Sequence, residues 1–169
     1  MTRPATPTPD RFRSVLGRFV TGISIMTAVA ADGQPHGMTA NAVTSVSLEP
    51  PLVLVCVDRS AIMAEVMEDA EGFALTFLTA EQEPWSTWFA TPDRPTGAAQ
   101  FDGVPTRAHT TGSPVLDDGL GWVDCRTWAV YDGGDHVIVV GEVVALGETE
   151  DPDVAPLLYD RGRYAELAD

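Results

Sequence analysis

The amino-acid sequence predicts a mainly β protein, an antiparallel barrel with a few short helices. Segments rich in β-branched and aromatic residues give about six or seven strands, against about three short helical patterns. Successive strands are joined by turn signals, of which Asp32-Gly33 and Asp132-Gly-Gly-Asp135 are the clearest. The strands do not alternate with helices, as they do in doubly wound parallel sheets. Strands that are joined as hairpins are typical of antiparallel barrels.

Length and composition are those of a globular protein with one domain. The chain has 169 residues, of which 44% are hydrophobic and 21% are charged. We expect residues 1–9, which are rich in Pro and Thr, to be a disordered tail, and residues 10–169 to form the domain. The N-terminus lacks the apolar stretch of a secretory signal, and no apolar run reaches the ~18 residues that cross a bilayer. We therefore expect a cytoplasmic protein with no membrane partner.

Charge and side-chain chemistry argue against several classes of function. The net charge is −15, from 10 basic and 25 acidic residues, and such a field repels nucleic acid. Cys56 and Cys125 lie in apolar strand-like segments, which predicts free thiols. The three histidines, His36, His109 and His136, share no ligand spacing, and we expect no metal site. The sequence contains no Gly-rich dinucleotide motif, Walker lysine or nucleophile elbow.

The first part of the chain predicts a helix and then a hairpin. Asp10 is expected to cap a helix that ends near Gly22 and has one apolar face. That face consists of Phe12, Val15, Leu16 and Phe19. A strand begins at Ile23, turns at the Asp-Gly pair and returns over residues 36–46.

The middle of the chain predicts two helices separated by strands. Residues 52–57 are apolar at every position, which predicts a strand that is buried on both faces. Ser60 is expected to cap a second helix, which ends at Gly72. After a further strand, Thr79 and Gln82 have the spacing of a capping box and begin a third helix.

The remainder predicts a long loop and a long hairpin. Residues 91–114 are polar and rich in Gly, Pro and Thr, and a loop of this length in a compact domain is usually functional or mobile. Strands over residues 121–131 and 136–146 flank the Asp-Gly-Gly-Asp turn. Residues 152–169 are expected to contain a short helix or turn.

Residues 37–51 are the most informative segment for function. They combine a strand pattern with many small hydroxyl and amide side chains, and they end at Pro50-Pro51. Small side chains let a flat ring approach the backbone, whose N–H and C=O groups can bind the polar edge of the ring. The same composition also suits an edge strand that ends in a turn rich in Ser and Thr. The residues alone leave both interpretations open.

Several motifs occur together along the chain, in a combination that is more specific than any one of them. They are Phe19–Thr27, Gly37–Asn41, Ser45–Val57, Phe89-Ala90, Gly134-Asp-His136 with Gly141, and Pro156–Tyr159 with Gly162 and Tyr164. Their nature and order resemble the flavin reductase-like family, short NAD(P)H:flavin oxidoreductases that supply reduced flavin to a separate monooxygenase. The resemblance covers nearly everything after the Pro-rich start.

The resemblance implies a split β-barrel of the FMN-binding type that acts as a homodimer. It implies FMN or FAD as cofactor, NADH or NADPH as hydride donor, and a flavin-dependent monooxygenase that receives reduced flavin by diffusion. The residues that would contact the flavin are Met38, Thr39, Ala40, Asn41, Ser45, Val46, Ser47, Cys56, Val57, Ser60, Ala61 and Phe89. His136 would contact the nicotinamide, although a histidine after such a turn is also an ordinary turn residue. No acid–base residue is obligatory in this chemistry.

Other functions stay open at this stage. One is a non-catalytic protein that binds flavin or another flat cofactor in the same barrel. A second is a split-barrel enzyme of the pyridoxamine-phosphate-oxidase type, which would need more basic residues around the ligand phosphate. A third is an interaction domain whose site has decayed. The chain departs from the family pattern at Thr76, where many members have Asn, and in the loop over residues 91–114.

Overall fold

The structure, a computed structural model, describes residues 6–167 as a mainly β fold. Its helices in this range are α1 (Pro9–Leu16), α2 (Ile62–Asp69) and α3 (Glu83–Ala90). The strands are β1 (Thr21–Gly22), β2 (Ser24–Val29), β3 (Pro35–Ala40), β4 (Val43–Leu48), β5 (Pro51–Asp58), β6 (Gly72–Phe77), β7 (Thr106–Ala108), β8 (Pro114–Leu116), β9 (Gly121–Asp132), β10 (His136–Glu148), β11 (Leu158–Asp160) and β12 (Arg163–Ala165). No helix within these residues has the length and hydrophobicity that a membrane crossing requires.

Seven strands form one antiparallel sheet in the order β3-β2-β6-β9-β10-β5-β4. β3 and β4 follow each other in the chain but occupy opposite edges of this sheet. Residues 41–42 are therefore the corner at which the chain passes from one edge to the other. A sheet whose two edges are brought together by such a corner curves towards a barrel without closing its hydrogen-bond ladder. We call the line between the two edges the seam.

Two groups of buried side chains hold the sheet in this shape. One lies under α2 and includes Met26, Val55, Met63, Phe73 and Val139. The other lies under α3 and the C-terminal segment and includes Ile25, Leu78, Phe89, Leu116 and Leu157. Removing these side chains from water stabilises the fold, because full burial of one large apolar side chain contributes about 1.5–3 kcal/mol.

The predicted hairpins are confirmed, while several element ends differ from the prediction. α1 is capped by Thr8 rather than Asp10, because the Thr8 hydroxyl accepts the Arg11 N–H at 3.4 Å. This helix ends at Leu16, well before Gly22, and so the apolar pattern around Phe19 continues past the last helical turn. Of the predicted tail, residues 1–5 lie outside the described residues.

The predicted return strand over residues 36–46 is two strands, because the corner at 41–42 divides it into β3 and β4. The run 52–57 is buried on one face only: Val53, Val55 and Val57 are buried, while the alternate residues are partly exposed. Continuous hydrophobicity shows that both faces are apolar, but this chain covers only one of them.

The second helix also starts differently from the prediction. Ala61, not Ser60, occupies the cap position, because the Ser60 hydroxyl bonds instead to the Asp58 carboxylate at 2.7 Å. The capping box of Thr79 and Gln82 is confirmed, and it begins a 3-10 turn that leads directly into α3.

The segment over residues 91–114 is anchored rather than free. It contains a 3-10 turn at Gly97–Phe101, and Gln100 in that turn is fully buried. The Trp88 indole N–H donates to the Gln100 carbonyl at 2.8 Å. At the C-terminus, β11 and β12 form a hairpin that pairs with β1, where the sequence predicted a short helix or turn.

Candidate functional site

The seam carries a cavity of about 370 Å³ beside the corner at residues 41–42. Its walls are mainly apolar and include Ile23, Leu78, Leu120 and Leu157. Asn41 contributes a polar edge, and its amide donates to the Thr21 hydroxyl at 3.3 Å. An apolar slot with a polar edge is the form that protein sites for flat cofactors take.

A second cavity of about 180 Å³ adjoins the first, because Ile23 and Asn41 line both. Its lining is rich in hydroxyl groups. The Thr39 hydroxyl donates to the Ser86 carbonyl at 2.6 Å, and the Ser86 hydroxyl lies 2.9 Å from that of Tyr164. These bonds connect β3, α3 and the C-terminal hairpin, so the polar wall of the cavity comes from three separate parts of the chain.

A third cavity of about 370 Å³ extends along the outer part of β4. It shares Val43 and Phe77 with the first cavity and reaches Ser45 and Ser47. A bulge in β4 lies at these serines, since the pairing with β5 shifts between them. The first cavity thus shares lining residues with each of the other two, and residues of the segment 39–47 contribute to the lining of all three.

The end of β5 connects this wall to His136. The Ala42 carbonyl accepts the Cys56 N–H at 3.0 Å, which places the corner beside the end of β5. On the other side of β5, His136 pairs with Asp58. Two strand spacings of about 4.8 Å and a step of two residues along β5, at about 3.3 Å each, separate the corner from the His136 backbone by about 12 Å.

Residues 58–61 turn from β5 into α2. The Asp58 carboxylate accepts both the N–H and the hydroxyl of Ser60, at 2.8 and 2.7 Å. These hydrogen bonds, the one from the hydroxyl first, lower the pKa of Asp58. The first N–H groups of α2 follow this turn, and such groups favour a bound anion.

His136 lies at the start of β10 with a partly exposed ring. Its Nδ1 atom is 2.7 Å from the carboxylate of Asp135. A carboxylate at this distance favours a proton on Nδ1 and leaves Nε2 without a protein partner among the hydrogen bonds of the described residues.

The residues predicted from the resemblance fall into three groups. Those that line the connected cavities are Thr39, Ala40, Asn41, Ser45 and Ser47. Those at the end of β5 and in the turn to α2 are Cys56, Val57, Ser60 and Ala61. Val46 is exposed on β4, and Met38 packs against the core beneath α2. Their contacts with a cofactor stay predictions.

Phe89 is placed apart from the cavities. It is 1% exposed and packs against Phe101, with 5.3 Å between ring centroids. The ring also lies directly over Gly37, where an added Cβ would come within 2.5 Å of it. In this chain the Phe89 side chain is therefore part of the core.

Among the wall residues that were not predicted as site residues are four with hydroxyl groups: Thr21, Ser86, Tyr159 and Tyr164. Thr21 and the two tyrosines belong to segments that carry the family resemblance, which was the available signal. Ser86 gave none, since a serine within a helix pattern has no distinguishing feature. In residues 6–167, no three His, Cys, Asp or Glu side chains come close enough together to hold a metal ion.

These walls fit a flavin. The slot volume is within the range of about 300–1,000 Å³ found for small-molecule sites. The apolar residues match the flat faces of an isoalloxazine ring, and Asn41 with the backbone of the corner matches its polar edge. The hydroxyl groups of Ser45 and Ser47, opposite Val53 and Leu52 on β5, and the start of α2 beyond the other end of β5 are two separate sets of neutral donors that suit an anion in a chain with few basic residues.

Fold and site together define a split-barrel protein with a slot for a flat cofactor. The chain belongs to the family described as flavin reductase like domain, whose model matches residues 16–168. The family and the mainly β split-barrel class predicted from the sequence are both confirmed.

Relatives of known name agree with this membership. The chain is 38% identical to an NADH-dependent FAD reductase of Streptomyces globisporus, over 94% of this chain and 85% of that protein. It is also 38% identical to the reductase subunit HsaB of a flavin-dependent monooxygenase of Mycobacterium tuberculosis, over 94% of this chain and 82% of the relative. The solved structure of the NADH:FAD oxidoreductase SgcE6 of Streptomyces globisporus superimposes with a TM-score of 0.88 at 35% identity, and the match covers 100% of this chain and 99% of that one.

Proposed function

We propose that this protein is an NADH-dependent flavin reductase that supplies reduced flavin to a flavin-dependent monooxygenase. The observation that carries the proposal is the row of adjoining cavities along residues 39–47, with His136 about 12 Å from the corner across the end of β5. The names of the two relatives described above state the reductase activity, NADH and FAD for one, and the role as a monooxygenase subunit for the other.

Each part of the slot has a separate task in this proposal. Thr39, Ala40 and Asn41 face the ring and ribityl chain, and Met38, whose side chain packs against the core, takes part through its backbone. Ser45, Val46 and Ser47 bind the ring edge or phosphate region. Cys56, Val57, Ser60 and Ala61 close the phosphate end. When bound, the flavin supplies the atom that accepts the hydride from the nicotinamide. The chain's own contribution is to hold the two rings in contact and to offer N–H groups to the developing negative charge.

NADH fits the surroundings of His136 better than NADPH does. Three carboxylates, those of Asp58, Asp132 and Asp135, lie on the two segments next to the imidazole. Asp132 is paired with Arg59, so the charges of Asp58 and Asp135 are the ones that oppose the additional 2′-phosphate of NADPH, and the net charge of −15 acts in the same direction.

A homodimer is part of the proposal because the sheet has apolar residues that this chain leaves exposed. They are Val46 and Leu48 on β4, Trp128, Val130 and Tyr131 on β9, and Leu146 on β10. Leu48 is 93% exposed, and a second copy of the chain that covers these strands would remove such side chains from water. Light scattering is expected to give twice the mass of the 18.0 kDa chain, and a monomer mass at micromolar concentration would contradict the dimer.

The direct test of activity mixes the purified protein with NADH and either FMN or FAD, and follows the nicotinamide absorbance. We expect rapid loss of NADH that depends on added flavin and is slower with NADPH. Binding of flavin without NADH consumption would instead favour the non-catalytic flavin-binding protein. We propose that reduced flavin reaches the monooxygenase by diffusion. The oxygenase reaction should therefore still proceed, at low oxygen, when a dialysis membrane separates the two proteins.

Two variants separate the two halves of the site, and each serves as the control for the other. Asn41→Ala should weaken flavin binding by about tenfold, the loss of roughly one hydrogen bond, and leave the KM for NADH nearly unchanged. His136→Ala should raise the KM for NADH or lower kcat, and leave the flavin Kd nearly unchanged. If His136→Ala changes neither kinetic constant, the proposed role of His136 is wrong.

A further inference from the structure

Arg59 connects the turn before α2 to the turn before His136. Its Nε atom donates to the Gly134 carbonyl at 2.8 Å, and its Nη2 atom forms an ion pair with Asp132. Its backbone N–H donates to the Asp135 carbonyl at 3.1 Å. One residue therefore makes three contacts with residues 132–135, although it lies more than seventy positions earlier in the chain.

The turn that Arg59 contacts is itself ordered around Asp132. The Asp132 carboxylate also accepts the Gly134 N–H at 3.3 Å, and Gly134 has a left-handed backbone with a φ of 83°. The Gly133 N–H donates to the His136 carbonyl at 3.0 Å and closes the turn. The hydrogen bond from Arg59 is the main cause that lowers the pKa of Asp132, so this carboxylate stays charged and paired near neutral pH.

The contacts lead from Arg59 to the imidazole in two steps. Arg59 holds the backbone of Asp135 through its N–H, and the Asp135 carboxylate lies 2.7 Å from Nδ1 of His136. The guanidinium adds a hold on the two neighbouring positions, the Gly134 carbonyl and the Asp132 carboxylate, and so places the backbone from which the Asp135 side chain and the imidazole extend. Arg59 itself has its Nε and Nη2 atoms turned towards the turn.

We propose that Arg59 is a positioning residue for nicotinamide binding, which acts by fixing the 132–136 turn so that His136 faces the bound flavin. The inference rests on the proposed reductase function and adds a residue to it. Arg59 does not touch the nicotinamide in this role. Its guanidinium group is needed as a fork, since one arm binds a carbonyl and the other a carboxylate, and a lysine cannot make both bonds in the same geometry.

The test compares Arg59→Gln, Asp132→Asn and the double variant with Arg126→Gln, which removes an exposed arginine from β9 of the same sheet. Each single variant is expected to raise the KM for NADH about three- to fivefold, the effect of losing one partly exposed charge pair. The double variant should resemble the worse single one, because both substitutions break the same contact. We expect kcat and the flavin Kd to change less than twofold, and the melting temperature to change by less than a few degrees. Arg126→Gln is expected to behave as the parent.

A second measurement follows the turn without relying on turnover. Amide hydrogen exchange of residues 133–138 should become faster in Arg59→Gln, and stay unchanged in Arg126→Gln. Unchanged exchange together with an unchanged KM would overturn the inference. A large loss of flavin affinity in Arg59→Gln that Asp132→Asn does not reproduce would also overturn it, because a direct contact with the flavin phosphate needs no Asp132. A parent protein that consumes no NADH would instead refute the reductase function, which separates the two failures.

Discussion

Acidification is expected to destabilise the protein through a single buried histidine, His36. The residue is 6% exposed, and its ring lies against the segment over residues 91–114. The side-chain oxygen of Gln100 accepts the Gly37 N–H at 3.0 Å. The side-chain nitrogen of Gln100 is therefore the atom that lies 3.2 Å from Nδ1 of His36. Nδ1 is thus an acceptor, and a proton there would face a donor. On the other side, Arg94 Nη2 is 3.5 Å from Nε2.

The magnitude follows from the two environments of the imidazole. Burial, and then the charge of Arg94, lower the pKa of His36 from 6.5 to about 4. In the unfolded chain His36 takes up a proton near pH 6.5, whereas the folded protein resists this until about pH 4. The unfolded state therefore binds more protons than the folded state between these values. As the pH decreases through this range, the free energy of unfolding decreases by about 1.4 kcal/mol per pH unit. From pH 7 to pH 5 the loss that is due to His36 is about 2 kcal/mol.

His36→Gln removes this proton uptake and is the variant that tests it. Urea unfolding followed by tryptophan fluorescence, at pH 7, 6 and 5 and at one protein concentration, gives the free energy of unfolding for parent and variant. The variant is expected to be less stable at pH 7, since it loses packing and a hydrogen bond. Its disadvantage should shrink by about 2 kcal/mol between pH 7 and pH 5.

The many carboxylates of the chain also titrate towards low pH, but they do so in both proteins and cancel in the difference. His136→Gln, which removes a histidine while keeping His36, serves as the control. Parallel pH dependences for the parent and His36→Gln would refute the reasoning, because His36 would then be charged equally easily in the folded and unfolded chain.

Three further outcomes are expected from buried positions. Gly37→Ala should lower the free energy of unfolding by about 1–3 kcal/mol, since its Cβ would come within 2.5 Å of a buried phenylalanine ring. Gly22→Ala, whose Cβ would have no atom within 4 Å, should leave the free energy of unfolding unchanged. Equal urea midpoints for the two variants would contradict this. Asp124→Asn should cost about 1–3 kcal/mol in the same assay, because the fully buried carboxylate accepts both an N–H and a hydroxyl from one threonine, and an amide can accept only through its oxygen. Burial, and then the charge of Asp124, raise the pKa of Cys125 to about 12. A thiol reagent at pH 8 should therefore label Cys56 and leave Cys125 intact. Equal labelling of both cysteines, measured by mass spectrometry, would contradict this.

The hairpins of this fold could be predicted because local chemistry specifies them. Asp32-Gly33 forms a turn because Gly33 adopts a positive φ that glycine allows without strain. The long β9–β10 hairpin follows from the β-branched residues on both sides of a Gly-Gly turn. The corner at residues 41–42 has no such signal. The small polar residues around it are compatible with an uninterrupted strand, and only the sheet order shows that the chain changes edges there.

The site divides in the same way. The segment over residues 39–47 was predictable, since its hydroxyl and amide residues are close in sequence and match a family pattern. Ser86 could not be found, because it reaches the cavity only through the packing of α3 on β3. Ser60 shows the opposite case: its hydroxyl suits a helix cap, but the neighbouring carboxylate of Asp58 is the stronger acceptor and holds it instead.

The seam makes the width of the slot a property of the whole sheet. Its two sides belong to β3 and β4, the first and last members of seven strands, so each twist or bulge between them moves one side relative to the other. The pairing of β9 with β10 shifts at Val140/Gly141 and again at Val143/Ala145, and such irregularities set how strongly a sheet bends. Substitutions at these positions, in the middle of the sheet, are therefore a means of widening or narrowing the opening for the ring without altering any residue that borders it.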